Sequence, residues 1–298
     1  MPEKILINSG PSSAGWSMLS PFFMCERLFW FEAKRREAEA GGFLGPAFPL
    51  ARGSFIHVGL AHHYARQGMA QAGLSSDIYY EPIEAMRLVA AAYPGKLTTG
   101  EKTSDVLDIA IEMVMSYRTR YTDERLQVVA VEAPAALPLP SLDGGPSTEV
   151  ITQRIDLTIR DDVGKIYILD HKGSSELSKK TLIARYSLSG QFLLMQLLGS
   201  QLYGRDFGGC LVNVIGAQTD RTPAQRFYRF APEPAPAMLC EFPYVVAEAR
   251  ARIKEKREFE KAWGEKKEIW RPAMHEQICG RQFNGRCEHF EACKWGDT

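Results

Sequence analysis

One short stretch, residues 151–172 with the sequence ITQRIDLTIRDDVGKIYILDHK, limits the possible folds more than any other. It predicts a β-hairpin, because its first arm, Ile151–Ile159, alternates apolar and polar side chains and Asp161–Gly164 supplies a turn. The second arm, Lys165–Leu169, is rich in Ile and Tyr and runs into an Asp-His-Lys tripeptide at residues 170–172. The hairpin therefore brings charged side chains onto an otherwise apolar sheet.

The position of these charges indicates a metal site. Asp156 lies between two apolar residues of the first arm, and Asp170 and Lys172 point to the same side of a strand. Such charges are costly on a half-buried sheet unless something compensates them. Two carboxylates suit Mg²⁺ or Mn²⁺, and a lysine beside the metal can orient an attacking water and stabilise phosphorane charge. The alternative is a structural Asp–Lys ion pair without a metal.

Composition narrows the class of protein. The 298 residues are 45% hydrophobic and 24% charged, as in an ordinary globular protein, and hold no apolar run that could cross a bilayer. The first ten residues, MPEKILINSG, do not form a signal peptide, so we expect a cytoplasmic protein. Basic and acidic residues both total 36, so any contact with nucleic acid must come from a local basic patch.

Hydrophobic patterns predict a mixed sheet with a crossover helix, an α/β class. A strand at residues 127–139 precedes the hairpin, and a strongly apolar helix at 190–204 leads to a buried strand at about 208–218. We expect further helices at 17–40, 54–70, 104–121 and 237–268, a broken loop at 41–53, and a polar loop between Lys172 and the helix at 190.

These elements divide into three parts of one integrated domain. Residues 1–126 are a helical N-terminal region, residues 127–230 the sheet-containing core, and residues 231–298 a charged helix followed by a cysteine-rich tail.

Three histidines lie close together in the second helix. His57 and His62 are five residues apart, whereas two ligands on one helical face normally need a spacing of three or four, so zinc held by His57, His62 and His63 alone is disfavoured. A single histidine that faces the charged site fits better.

The second informative stretch is the C-terminal ICGRQFNGRCEHFEACKWGD, with Cys279, Cys287 and Cys293. Six cysteines in a cytoplasmic chain favour metal ligands or free thiols over disulfides. A zinc site, an iron–sulfur cluster and unrelated thiols all remain open, and a metal site requires a fourth ligand. The candidates for this ligand are Cys25, Cys210, Cys240, His275 and His289.

Taken together, these motifs resemble the PD-(D/E)xK nuclease superfamily over roughly residues 20–295. More narrowly, the chain is similar to the branch of the RecB and AddB nuclease domains and the CRISPR-associated spacer-acquisition exonucleases. The motifs that match are Asp156, Asp170-x-Lys172, a glutamine on the following helix at Gln191, and a histidine after a glycine in an upstream helix, Gly53-x-x-x-His57. The chain departs from this pattern at Met195, where the glutamine motif normally has tyrosine.

The resemblance implies a restriction-endonuclease-like fold and a division of roles. Asp156 and Asp170 would bind Mg²⁺ or Mn²⁺, with His57 and the backbone carbonyl of His171 as further ligands. Lys172 would position the water and stabilise charge.

Two more features follow from the resemblance. Gln191 would orient Lys172 or the scissile strand. Some members carry one cysteine near the N-terminus and three near the C-terminus, so Cys25, Cys279, Cys287 and Cys293 would hold a [4Fe-4S] cluster that acts as a staple, with Zn²⁺ as the alternative.

The resemblance implies a metal-dependent DNA nuclease, most simply an exonuclease on single strands or duplex ends, in recombination, repair, phage DNA processing or spacer acquisition. The chain has no Walker-type nucleotide-binding motif, so a helicase or an acquisition protein would be a separate partner. An oligomer is possible. The alternatives are a non-catalytic DNA-binding or assembly subunit with the same fold and a zinc-stabilised regulatory protein.

Overall fold

The structure is a computed structural model that describes residues 4–7, 9, 14–39, 48–93, 95, 97, 100–145, 147–176, 178–273 and 293. The chain forms two units. The first comprises Met1–Pro11, Leu44–Leu137 and Gln153–Leu239, and the second comprises Ser12–Phe43, Pro138–Thr152 and Cys240–Thr298. The three-part division at residues 126 and 230 follows chain order instead, and it stays a prediction.

Within the described part of the chain, the first unit is built on a five-stranded mixed sheet with strand order β1-β2-β3-β4-β5. Strand β3 pairs antiparallel with β2 and parallel with β4, and β4 pairs antiparallel with β5. This confirms the predicted α/β class and is compatible with a restriction-endonuclease-like core. The strands are β1 Gln127–Pro138, β2 Val150–Arg160, β3 Ile166–Ser174, β4 Phe207–Gly216 and β5 Phe227–Phe230.

Helices cover both faces of this sheet. Neighbouring residues of β3 point to opposite faces, so Leu169 packs in a cluster with helices α3, α4 and α5, and Ile168 packs in a second cluster with α6 and α7. Helices α6 and α7 form the crossover between the parallel strands β3 and β4. The helices are α3 Phe48–Gln71, α4 Pro82–Ala91, α5 Thr103–Arg120, α6 Lys179–Ser187, α7 Gly190–Tyr203 and α8 Pro223–Arg226.

Three expectations about local structure were wrong. The helix expected at 17–40 is two helices, α1 Trp16–Met24 and α2 Glu26–Glu39, separated by extended backbone at Cys25. Helix α3 begins at Phe48, inside the expected loop. The proline in its first turn does not prevent this, because the N–H groups of a first helical turn have no partner within the helix. The polar segment after β3 contains α6, whose Leu182 is fully buried and whose start is capped by Ser178.

The second unit contains α1, α2 and most of α9 (Pro236–Trp263), which ends a little before the expected residue 268. Its aromatic core surrounds a buried acid. The indole N–H groups of Trp30 and Trp270 donate to the same oxygen of Glu260, at 2.7 and 2.9 Å. Among the described residues of the whole chain, no helix combines the length and the apolar character needed to span a membrane.

Candidate functional site

The site lies where the β2–β3 ladder ends. The paired residues run from Arg160 and Ile166 to Leu157 and Leu169, so the next residues, Asp156 and Asp170, fall just beyond the ladder. There Oδ2 of Asp156 accepts the backbone N–H of His171 at 2.8 Å. A side-chain carboxylate thus provides the acceptor for this backbone N–H at the point where the strands diverge. Both aspartates are buried, although the alternation of the first arm placed Asp156 among its polar positions.

Asp170, Lys172 and Gln191 form a closed triangle of polar contacts. Lys172 Nζ lies 2.6 Å from Asp170 Oδ2 and donates to Gln191 Oε1 at 3.0 Å. Gln191 Nε2 donates to Asp170 Oδ1 at 2.6 Å. Gln191 stands in the first turn of α7, which places its amide beside β3. The structure thus brings together three residues that the sequence analysis placed in one site, and their chemical roles stay predictions.

A second group of side chains converges on Asp156. One ligand atom each from His57 on α3, Glu132 on β1 and Asp156 on β2 lies within 4.8 Å of the other two. His57 Nδ1 is 3.3 Å from Asp156 Oδ2. The ligand group predicted from sequence contained His57, Asp156, Asp170 and the His171 carbonyl. Among the described residues, the closely spaced group has Glu132 instead of Asp170.

This donor set fits a divalent cation. One imidazole and two carboxylates are ligands that Mn²⁺ accepts, and Mg²⁺ favours the carboxylate oxygens. In addition, the enclosed Oδ2 of Asp170 has no hydrogen-bond partner among the described residues, although it is ion-paired with Lys172. The Lys172 ammonium, 2.6 Å away, already compensates the charge of this oxygen, so the fit to a divalent cation rests on the donor set of His57, Glu132 and Asp156.

Glu132 is a member of the site that sequence reasoning did not select. The only sign of it in the sequence is an acid within the apolar run of β1. In the structure its φ is +49°, and among the described residues it is the one non-glycine with a positive φ. Strained backbone of this kind costs about 1–3 kcal/mol and clusters at functional sites. The strain therefore supports a role for its carboxylate.

The pKa values of the ionisable groups in the site are shifted by burial and by the neighbouring charges. Burial acts to lower the pKa of His57, but the charge of Asp156 outweighs it and raises that pKa to about 9. Burial, with the nearby charge of Asp156, raises the pKa of Glu132 to about 8. Burial acts against the charge of Lys172, yet Asp170 raises the pKa of that lysine above its usual value. Asp156 thus compensates the charge of His57 and Asp170 that of Lys172, whereas burial and the charge of Asp156 disfavour the charged form of Glu132.

Of the three histidines in α3, His57 is the one that lies beside Asp156 and Glu132. His62 is buried elsewhere, where Nε2 accepts the backbone N–H of Ile7 at 3.0 Å and Nδ1 lies 3.1 Å from the Tyr80 carbonyl. Met195, in the position where the resembling family has tyrosine, is fully buried in the core against α6 and the sheet. It cannot contact a substrate without unpacking that core.

The predicted cysteine site falls partly within the described residues of the second unit. Two backbone N–H groups, from Leu28 and Ala273, donate to Cys25 Sγ at 3.4 and 3.3 Å. Arg27 Nη1 lies 3.5 Å from Cys293 Sγ, so residues near both ends of the chain meet in this unit. Cys279 and Cys287 lie outside the described residues, as do the alternative ligands His275 and His289.

Comparisons with known proteins give little further help. No protein-family model matches the chain, and no curated protein matches it. Among solved structures, a presumed exonuclease from Eubacterium rectale is 11% identical with a TM-score of 0.47, over 94% of this chain and 92% of that one. SSO0001 is 15% identical with a TM-score of 0.31, over 50% of this chain and less than two thirds (64%) of that one. Neither similarity is strong enough to support an argument about fold or activity.

Proposed function

We propose that this chain is a metal-dependent deoxyribonuclease of the PD-(D/E)xK type. The observation that supports it best is the convergence of His57, Glu132 and Asp156 beside the Asp170–Lys172–Gln191 triangle. Each group alone has a structural explanation, but three potential ligands beside a partly buried lysine are the parts that hydrolysis of a phosphodiester needs.

In this proposal His57, Glu132 and Asp156 would hold Mg²⁺ or Mn²⁺, with Asp170 as an additional ligand. The bound cation would supply Lewis-acid polarisation of the phosphodiester. The backbone carbonyl of His171, predicted as a ligand, keeps that place in the proposal.

The cationic ammonium of Lys172 orients the attacking water and stabilises the negative charge that develops on the phosphate oxygens. Gln191 keeps that ammonium in place, because its amide contacts both Lys172 and Asp170. Gln191 is therefore a positioning residue for the triangle and does not need to touch the substrate.

The proposed substrate is DNA, as single strands or duplex ends, in recombination, repair, phage DNA processing or spacer acquisition in the cytoplasm. A separate helicase or acquisition protein would present it. The alternative is a non-catalytic DNA-binding or assembly subunit.

The test is digestion of end-labelled single-stranded and duplex DNA in Mn²⁺ or Mg²⁺ by wild type, Asp170→Ala and Asp162→Asn. Asp162 is an exposed acid in the turn of the same hairpin and serves as the control. We expect wild type and Asp162→Asn to cleave and Asp170→Ala to bind DNA without cleaving it. If none of the three proteins cleaves DNA while all three bind it, the result favours the non-catalytic DNA-binding or assembly subunit. Cleavage by Asp170→Ala would also contradict the proposal.

We further propose that Cys25, Cys279, Cys287 and Cys293 hold a [4Fe-4S] cluster with a structural role. The two N–H donors at Cys25 Sγ support this, because such donors stabilise a thiolate. Anaerobically purified protein should be brown and contain iron and labile sulfide. Cys25→Ser should lose both, whereas Cys240→Ser, at an exposed cysteine, should keep both. Colourless protein with stoichiometric zinc would contradict the cluster.

A further inference from the structure

Three polar side chains form a row across the sheet behind the candidate site. His171 on β3 is the register partner of Asn213 on β4, and Asn213 is the partner of Arg229 on β5. Their side chains are joined in the same order: Asn213 Nδ2 lies 2.7 Å from His171 Nδ1, and Arg229 Nε donates to Asn213 Oδ1 at 3.2 Å. We call His171, Asn213 and Arg229 the cross-strand row.

The chemistry of the cross-strand row fixes which atoms donate. A guanidinium has donors but no acceptor, so Arg229 must face the oxygen of the Asn213 amide. The amide nitrogen then faces His171 Nδ1 and the hydroxyl of Tyr117, which is 2.9 Å away. Because an amide N–H only donates, His171 Nδ1 must accept. His171 is therefore a neutral imidazole with its proton on Nε2.

The ring of His171 is held on its flat side as well. The ring of Tyr64 stacks on it with centroids 5.9 Å apart and planes 7° from parallel. The same residue donates its backbone N–H to Asp156 Oδ2 at 2.8 Å, so the contacts of the ring and the contact to the carboxylate meet at one residue of β3. His171 thus connects the cross-strand row to a carboxylate of the candidate metal site.

Arg229 is itself firmly anchored at the far end of the cross-strand row. It forms an ion pair with Glu124 through both terminal nitrogens, and its Nη2 donates to the Tyr117 hydroxyl at 2.8 Å. Burying a guanidinium is costly, and the ion pair and the hydrogen bond to Tyr117 offset this cost. They occupy both terminal nitrogens, so Arg229 contacts Asn213 through Nε.

We propose that Asn213 and Arg229 are positioning residues: they set the tautomer and the placement of His171, and through its backbone N–H they hold the Asp156 carboxylate in the orientation that the metal site requires. Partners of this kind behind metal ligands commonly change metal affinity 10–100-fold when they are altered. The metal part of this inference rests on the proposed function, whereas the tautomer part does not.

The chain offers a matched control. Arg226, three residues before Arg229, also makes a bidentate ion pair, with Glu112 at 3.0 and 2.8 Å, and it is buried. It donates through Nε to a backbone carbonyl, that of Gly216, and takes no part in the cross-strand row. Arg226→Lys and Arg229→Lys therefore remove comparable ion pairs, but only Arg229→Lys releases Asn213.

The experiment measures the His171 tautomer by ¹⁵N NMR of histidine-labelled full-length protein and the Mn²⁺ affinity by electron paramagnetic resonance. Wild type should show the Nε2–H tautomer. Arg229→Lys should weaken Mn²⁺ binding about tenfold or more and mix the tautomers, and Arg226→Lys should change neither by more than about twofold, although it lowers Tm. Asn213→Asp, which keeps the size of the side chain, should move the proton to Nδ1 even if Arg229→Lys does not fold.

Several results would overturn the inference. A wild-type Nδ1–H tautomer contradicts the donor assignment. Equal losses of Mn²⁺ affinity in both arginine variants, or none in Arg229→Lys, would leave the cross-strand row with a structural role only. A wild-type protein that binds no Mn²⁺ overturns the proposed metal site together with the positioning role, and is thereby distinguished from failure of the positioning role alone.

Discussion

At the scale of single residues, the φ of +49° at Glu132 carries a cost that mutation can measure. Glycine adopts this conformation freely, whereas for alanine the left-handed backbone costs about 1–2 kcal/mol of conformational free energy. We therefore expect Glu132→Gly to be more stable than Glu132→Ala by about 1 kcal/mol in urea unfolding. Ala136→Gly, at an exposed position of the same strand, should lower stability. The reverse order at Glu132 would show that its backbone is not strained.

A second prediction separates Lys172 from the ligands. Because its ammonium contacts Asp170 and Gln191 and is not a ligand, Lys172→Ala should lose about 10²–10³-fold in cleavage rate and retain Mn²⁺ binding. Lys165→Ala, at the other end of the hairpin arm, is the control. Loss of Mn²⁺ binding in Lys172→Ala alone would assign this lysine to the structure of the metal site instead.

The residues of the site differed in how visible they were in the sequence. Asp156 could be found because it lies between two apolar residues of a strand, and Asp170 and Lys172 because they come at the end of an apolar run. Glu132 interrupts β1 in the same way, but its approach to His57 depends on the pairing of β1 with β2 and on the packing of α3. The cross-strand row joins residues 171, 213 and 229, and strand pairing over such separations leaves no local pattern.

At the scale of secondary-structure elements, two helical glycines differ in the space that an added side chain would find. Gly53 lies in α3 with open space where a Cβ would be, whereas a Cβ at Gly199 in α7 would meet the ring of Phe207. Gly53→Ala should therefore stabilise the protein by about 0.5–1 kcal/mol, and Gly199→Ala should destabilise it by about 1–3 kcal/mol. Thermal and urea unfolding would check both.

The variant Gly53→Ala also tests the Gly53-x-x-x-His57 motif. If Gly53→Ala stabilises the fold but reduces cleavage, the glycine provides room for substrate. If cleavage is unchanged, its place four residues before His57 is incidental. A destabilised Gly53→Ala would contradict the helical environment that the structure gives this residue.

Long elements were predictable because their patterns repeat. The apolar helix α7, the hairpin and helix α5 each carry several periods of apolar side chains, so their bounds agree within a few residues. Strand β5 has only four residues, and α6 has a polar composition with one fully buried leucine, Leu182. Both are fixed by contacts with neighbouring elements, which a local pattern does not contain.

At the scale of the whole molecule, we expect the stability to depend on Glu26, a buried acid of the second unit. Burial acts to raise the pKa of Glu26, but the Lys256 ammonium and the backbone N–H of Arg271 lower it below the ordinary 4.5. A depressed folded pKa gives stability that is present above about pH 4.5 and lost as the pH falls through the folded value. The substitution Glu26→Gln should therefore lower the free energy of unfolding most near neutral pH.

Urea unfolding of wild type and Glu26→Gln from pH 7 down to pH 3 checks this prediction. The difference in the free energy of unfolding should shrink below about pH 4.5. Glu149→Gln, at an exposed acid of the same unit, should show a much smaller difference throughout. A difference between wild type and Glu26→Gln that grows as the pH falls would contradict the direction of the shift.

The central claim is that His57, Glu132 and Asp156 hold a divalent cation beside Lys172. The most direct measurement is anomalous diffraction from crystals of the full chain grown with Mn²⁺. We expect a manganese peak coordinated by these three side chains, and we expect this peak to weaken or disappear in Glu132→Gln. No peak at this position, with manganese bound only by exposed acids elsewhere, would contradict the claim.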